Sequence, residues 1–154
     1  MKRRKIIAVI GAGQTGRAGY EKAREVGRQI AQSGAALLCG GLGGIMEAAS
    51  RGCSEAGGLV IGVLPGPEPE EANPYVEIAL PTNMGHARNV VIAHSAHALV
   101  AVEGEYGTLS EMAVALKLGR PVVTLDCRWR VEGAQGADSP EEAVAMALER
   151  IKHS

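Results

Sequence analysis

Arg88 and Glu111 are the two residues of this sequence whose types and positions best suit chemistry. We expect Arg88 in the first turn of the helix before a strand at 97–102, and Glu111 in the first turn of the helix after it. In a parallel sheet covered by helices, both helices start at the carboxyl edge, so the two side chains can converge. Arg88 could then hold a phosphate or carboxylate bidentately, and Glu111 could orient a ribose or act as a base.

Both residues also have plain structural interpretations. Arg88 could be solvated at the outer surface, and Glu111 could complete a capping box in which Thr108 caps the helix. Two neighbouring residues also have both a functional and a structural interpretation. His86 could donate to a phosphate or be incidental, and Tyr106 could stack on a planar ring or simply cover its loop.

Three glycine-rich loops, centred on Gly11, Gly41 and Gly107, follow three of the predicted strands. Glycine lets the backbone approach a ligand closely, and amides at a helix N-terminus attract negative charge. A tight turn explains each loop singly, whereas one phosphate-bearing small ligand explains all three together. The loop residues assigned to that ligand are Gly11, Gly13, Gln14, Thr15, Gly41, Gly43, Gly44, Gly104, Tyr106, Gly107 and Thr108.

The first loop, at 11–16, matches the GxGxxG pattern of dinucleotide sites. Such a site also needs an acidic residue at the end of the second strand, where this chain has Leu38-Cys39-Gly40-Gly41. A P-loop would need Lys-Ser or Lys-Thr after Gly16, where the chain has Arg17-Ala18. The first loop is therefore the least diagnostic of the three. The loop at 104–111 is the most informative, although Glu103 and Glu105 beside it would oppose a triphosphate.

Short aliphatic runs alternate with segments of helical periodicity, which indicates one α/β domain with a mostly parallel central sheet over residues 1–154. Ser139 and Pro140 predict the start of the last helix. The proline-rich connection at 65–74 and the segment at 127–138 are expected to be irregular. The predicted strands are 5–10, 35–39, 59–64, 76–79, 97–102 and 121–125.

Composition narrows the class of function. The net charge is −1 and only four residues are aromatic, three Tyr and one Trp, so nucleic-acid binding is not expected. Three widely spaced cysteines lack a CxxC pair or a histidine at ligand spacing, so we predict reduced thiols and no metal site. The apolar run after the basic N-terminus stops after five residues, which suits a strand, and we expect a cytoplasmic protein that does not enter a membrane.

Three segments resemble motifs of the Lonely-Guy-type superfamily, whose members are often described as lysine decarboxylases. Residues 40–46 resemble its GGGxxGLM segment, 84–89 its MxxxRK segment, and 103–111 its PGGxGTxxE loop. Glu103, Glu105 and Asn89 differ from the Pro, Gly and Lys of the enzymes. This pattern is similar to the branch that includes the molybdenum cofactor carrier proteins. The resemblance adds Met84 and Asn89 to the ligand-binding residues and agrees with Arg88 as one of them.

The resemblance implies a Rossmann-like three-layer fold and a homodimer or homotetramer. It also implies two functions. In a carrier, the loops would hold the phosphate of a pterin-type molybdenum cofactor or a nucleotide as cargo, with no tightly bound cofactor. In a phosphoribohydrolase, Arg88 and Glu111 would be catalytic and cleave the base from a nucleoside 5′-monophosphate. The added charge at Glu105 favours the carrier, and a subunit without a ligand is the third alternative.

Overall fold

The computed structural model describes residues 1–152, and that range contains seven strands and five α-helices. Two short 3-10 turns, Pro69–Glu71 and Gly85–Ala87, precede β4 and α3. The strands are β1 (Ile6–Gly11), β2 (Ala36–Cys39), β3 (Val60–Leu64), β4 (Ile78–Pro81), β5 (Ala98–Val102), β6 (Val122–Leu125) and β7 (Gln135–Ala137). The helices are α1 (Arg17–Gln32), α2 (Ile45–Glu55), α3 (Arg88–Ser95), α4 (Tyr106–Lys117) and α5 (Pro140–Lys152).

All neighbouring strands pair in parallel, in the order β4-β3-β2-β1-β5-β6-β7. The chain moves outward from β1 to β4, then returns to the other side of β1 with β5. Val9 of β1 lies beside Val100 of β5, and the pairing continues to Gly11 beside Val102. Since the strand order reverses between β1 and β5, a crevice is expected outside their carboxyl ends. The expected α/β Rossmann-like fold is confirmed.

Helices cover both faces of the sheet. On β1, Ile7 and Val9 face the cluster that contains residues of α1, α2 and α5, while Ala8 and Ile10 face the cluster that contains residues of α3 and α4. Because both faces are covered, β1 is a continuous aliphatic run instead of an alternating one. The resulting core is aliphatic and needs no cross-link: the three cysteines are free, with Cys39 and Cys53 buried.

Six predicted strands are present, with one notable shift. The run at 76–79 pairs two residues later than expected, as Ile78–Pro81, because Val76 packs against the core before the strand begins. Pro81 is tolerated there since β4 is an edge strand. The segment at 127–138, predicted to be irregular, contains the short strand β7.

The helix starts give one confirmation and one correction. The Glu142 amide donates to Ser139 Oγ at 3.1 Å, so the predicted cap of α5 is confirmed. Helix α4 begins at Tyr106 with Glu105 as its N-cap, three residues before the predicted cap, Thr108. In the described part of the chain, no helix is long and apolar enough to cross a membrane.

Candidate functional site

A cavity of about 240 Å³ lies at the carboxyl edge of β1, where the strand order reverses. Its walls come from the end of β1, the loop after β2, and the starts of α3 and α4. Of the predicted site residues, the structure brings the following together in its lining: Gly11, Gly13, Arg88, Asn89, Gly107, Thr108 and Glu111.

Arg88 is the first residue of α3, as predicted, and it is buried, with 8% of its surface exposed. Its Nε donates to the Val63 carbonyl at 2.9 Å, its Nη2 to the Gly40 carbonyl at 3.5 Å, and its Nη1 to Asn89 Oδ1. Burial lowers the Arg88 pKa from its ordinary value, and the charge of Glu111 opposes this. The guanidinium is therefore held in one orientation at the cavity wall, and its solvated-surface alternative is wrong.

Glu111 is also buried, with 7% exposed. It lies in the second turn of α4 and not the first, because the helix starts earlier than predicted. Burial raises the pKa of its carboxyl group to about 8, although the Arg88 charge lowers it. Glu111 is thus mostly protonated at neutral pH. Both side chains line the cavity, and in residues 1–152 they form no ion pair with each other.

The start of α4 uses a different capping arrangement from the predicted one. The Glu105 amide donates to Thr108 Oγ1 at 3.2 Å, and these two residues form the capping box. Glu111 is therefore not recruited to cap the helix, and its carboxyl group is available to the cavity. Gly107, in the first turn, lies in the lining beside Thr108, where helix amides attract anions.

Gly40 is a site residue that the sequence interpretation left out. A Cβ at this position would lie 2.8 Å from Arg88 Nη2 and 2.8 Å from Met46 Sδ. A side chain at this position would displace the end of Arg88 or of Met46, so glycine leaves room for the guanidinium beside the Gly40 carbonyl. The signal was present in the Gly40-Gly41 pair, of which only the second residue was assigned to the ligand.

The second loop is braced from outside the cavity. Gly44 has a positive φ of 64°, and the amide of the following residue, Ile45, donates to the Ala12 carbonyl at 3.0 Å, which ties the loop to the end of β1. The buried Asn73 donates through Nδ2 to the Leu42 carbonyl at 3.0 Å. Asn73, at the end of the proline-rich connection, therefore fixes the loop that carries Gly40 and Leu42.

The first glycine-rich loop forms a hydrogen bond with a carboxylate of the protein itself, that of Glu103. Thr15 Oγ1 donates to Glu103 Oε1 at 2.5 Å, and a Cβ on Gly19 would lie 2.4 Å from the same oxygen. Glu103 follows β5 with a φ of 55°, which turns its side chain toward the start of α1. A carboxylate already lies where a dinucleotide phosphate would be expected, in agreement with the low diagnostic weight of this loop.

The remaining predicted residues do not line the cavity. They are Gln14, Thr15, Gly41, Gly43, Gly44, Met84, Gly104 and Tyr106. The lining also contains residues that were not assigned to the ligand. Its apolar members gave no distinctive signal in the sequence, whereas His86 had been weighed as a phosphate donor without being assigned. The unassigned lining residues are Val9, Ile10, Ala12, Gly40, Leu42, Met46, His86 and Glu105.

Comparison with known proteins places the chain in a family. The model of the SLOG cluster4 family matches residues 4–151. A protein of Archaeoglobus fulgidus described as uncharacterised is 47% identical over 142 residues, which cover 92% of this chain and 93% of that protein. The cytokinin riboside 5′-monophosphate phosphoribohydrolase LOG of Oryza sativa subsp. japonica is 32% identical over 114 residues. That match covers 71% of this chain and 47% of the rice protein, so the chain spans about half of the rice enzyme's length.

Two solved structures are similar over the whole chain. The molybdenum cofactor binding protein of Rippkaea orientalis has a TM-score of 0.92 and 34% identity, covering 98% of this chain and 99% of that one. The molybdenum cofactor carrier protein of Chlamydomonas reinhardtii has a TM-score of 0.89 and 37% identity, covering 99% and 100%. The predicted resemblance is confirmed: the chain belongs to the SLOG cluster4 family, in the carrier-like branch of the Lonely-Guy-type superfamily.

Proposed function

We propose that this protein binds a small phosphorylated molecule, a pterin-type molybdenum cofactor or a nucleotide, at the carboxyl edge of its sheet and acts as a carrier. The observation that carries the proposal is the buried Arg88 guanidinium, held by the Val63 and Gly40 carbonyls in the wall of a cavity that also contains the start of α4. A fixed guanidinium and helix-terminal amides on one small cavity suit a phosphate.

The protonation state of Glu111 favours ligand binding over hydrolysis at neutral pH. Because burial raises its carboxyl pKa to about 8, Glu111 is mostly neutral at pH 7. A neutral carboxyl group does not repel a phosphate, and its hydroxyl can donate a hydrogen bond to the ligand. The relatives support the same role, since the two similar structures are named for binding or carrying the molybdenum cofactor.

A second function, hydrolysis of a nucleoside 5′-monophosphate, is favoured by Glu111 itself. The carboxylate form could take a proton from water as the water attacks the anomeric carbon and the base leaves, while Arg88 holds the phosphate. The similar rice protein is named for such a reaction. Because the carboxylate form predominates only above about pH 8, this activity would increase with pH through that value.

Titration calorimetry and base-release chromatography separate the two functions. A carrier binds AMP or neopterin monophosphate and releases no base, whereas a hydrolase releases adenine from AMP. Arg88→Lys keeps the charge but loses the guanidinium fork, so we expect its affinity to fall about tenfold or more. Arg120→Lys is the matched control, since Arg120 Nη2 bonds the His94 carbonyl at 3.1 Å and lies outside the cavity. No binding and no release would contradict both functions.

We also infer that the protein forms a homodimer or homotetramer. Four large apolar side chains on and near β4 and α3 are 42–48% exposed, and such a surface favours association. Sedimentation velocity tests this inference, and a monomer at micromolar concentration would contradict it. The four residues are Ile78, Leu80, Met84 and Val90.

A further inference from the structure

Two of the four aromatic residues of the chain meet beside the site. The rings of Tyr106 and Trp129 lie with their centroids 5.8 Å apart and their planes tilted by 40°. Tyr106 is the first residue of α4, directly between the lining residues Glu105 and Gly107, yet it is 78% exposed. An aromatic ring with this much exposed surface contributes little to the core, and most of it is accessible to another partner.

A second cavity lies on the Trp129 side of this pair. It has a volume of about 530 Å³ and is formed by the carboxyl ends of β6 and β7 and the segment between them. Trp129 lines it, and the Arg128 guanidinium lies 5.1 Å from the centre of the Trp129 ring. Arg130 and Glu132 bring a hydrogen-bond donor and an acceptor to the same lining.

Each of the two cavities suits a different part of one phosphorylated ligand. The first, about 240 Å³, is small for a complete nucleotide or pterin phosphate, because ligand sites usually measure about 300–1,000 Å³. It contains the fixed guanidinium and the helix-terminal amides but no Tyr or Trp side chain. Tyr106 adjoins the lining residues Glu105 and Gly107 along the chain, and its partner Trp129 lines the larger cavity. A phosphate in the first cavity would therefore leave an attached planar ring near Tyr106 and Trp129.

We propose that Tyr106 and Trp129 form a stacking platform for the planar heterocycle of the phosphorylated ligand, with Arg130 and Glu132 facing its polar edge. This rests on the proposed binding function and adds a ring-recognition subsite to it. Stacking tolerates different rings, whereas a donor and an acceptor at the edge suit a heterocycle with amide and amino groups. The platform thus recognises purine-like or pterin-like ligands over plain sugar phosphates.

Trp129 is the only tryptophan of the chain, so its fluorescence reports directly on the platform. We expect AMP to change the Trp129 emission as it binds, and ribose 5-phosphate to bind without this change. Calorimetry completes the test: Tyr106→Ala should weaken AMP or neopterin monophosphate about 5- to 100-fold and leave ribose 5-phosphate within about twofold. Tyr106→Phe keeps the ring and should match the wild type. Circular dichroism should show that both variants fold, because Tyr106 is mostly exposed.

The outcomes separate the platform from the proposed function. If ribose 5-phosphate binds but ring-bearing phosphates bind no more tightly, or Tyr106→Ala binds them as the wild type does, the platform is wrong and phosphate binding stands. If Tyr106→Ala alters the sedimentation coefficient and not the ligand affinity, the aromatic pair is an interface between copies, which also overturns the proposal. If no phosphate compound binds at all, the proposed function fails and the platform fails with it.

Discussion

Replacing Glu111 with Gln removes an ionisable group from a buried position while nearly preserving its shape. The raised carboxyl pKa means that the folded protein binds more protons than the unfolded chain between 4.5 and about 8. The free energy of unfolding of the wild type should therefore fall as the pH rises through this window. Glu111→Gln has no such titration, so we expect the variant to gain stability relative to the wild type as the pH increases.

The size of the effect follows from the displaced pKa. A pKa shift from 4.5 to about 8 lowers the free energy of unfolding of the wild type by about 3 kcal/mol at pH 7 and by about 1 kcal/mol at pH 5, relative to a protein without this titration. Urea unfolding of both proteins at several pH values from about 5 to 8 measures this difference. Glu70→Gln, which changes an exposed glutamate far along the chain from the site, is the control and should differ from the wild type by under about 0.5 kcal/mol throughout.

A stability difference between wild type and Glu111→Gln that does not change with pH would refute the reasoning. In that case the carboxyl group would be as well solvated in the folded protein as in the unfolded chain. Glu111 would then not present a neutral group to the phosphate. The same titration has a consequence for ligands: phosphate affinity should decline as the pH rises through about 8, because the carboxylate then faces the anion.

Three other substitutions separate binding from folding. Gly107→Ala should keep or raise stability by up to about 1 kcal/mol in urea unfolding, because Gly107 is helical, but lower phosphate affinity in calorimetry, because its methyl group enters the lining. Gly44→Ala should destabilise by more than about 2 kcal/mol, since φ is 64° and the added Cβ would lie 2.4 Å from the Ala12 carbonyl oxygen. Asn73→Ala should cost about 1–3 kcal/mol and weaken ligand binding, because the Leu42 carbonyl loses its donor; unchanged affinity would contradict its bracing role.

The fold was predictable where aliphatic runs are long. The strands at the centre of the sheet are uninterrupted Val, Ile, Leu and Ala, a pattern that only burial on both faces favours. Strand β7 could not be predicted, because Gln135–Ala137 is three residues long, mostly exposed and without a large apolar side chain. Its place in the sheet depends on backbone pairing with β6, which no side-chain pattern encodes.

The site was predictable in outline but not in its internal contacts. Arg88 at the start of α3 followed from helical periodicity and edge geometry, and the structure agrees. The start of α4 did not follow: both Glu105 and Thr108 are plausible caps, and the burial of Thr108 and Glu111 favours the earlier start. The role of Gly40 was hidden because it depends on the approach of Arg88, 48 positions away along the chain.

The crystal structure of the protein with neopterin monophosphate or AMP tests the central claim most directly. We expect the phosphate to lie between the Arg88 guanidinium and the Gly107 amide at the start of α4. A phosphate bound instead at the Gly11–Gly16 loop, or a ligand held elsewhere without any contact to Arg88, would contradict the account.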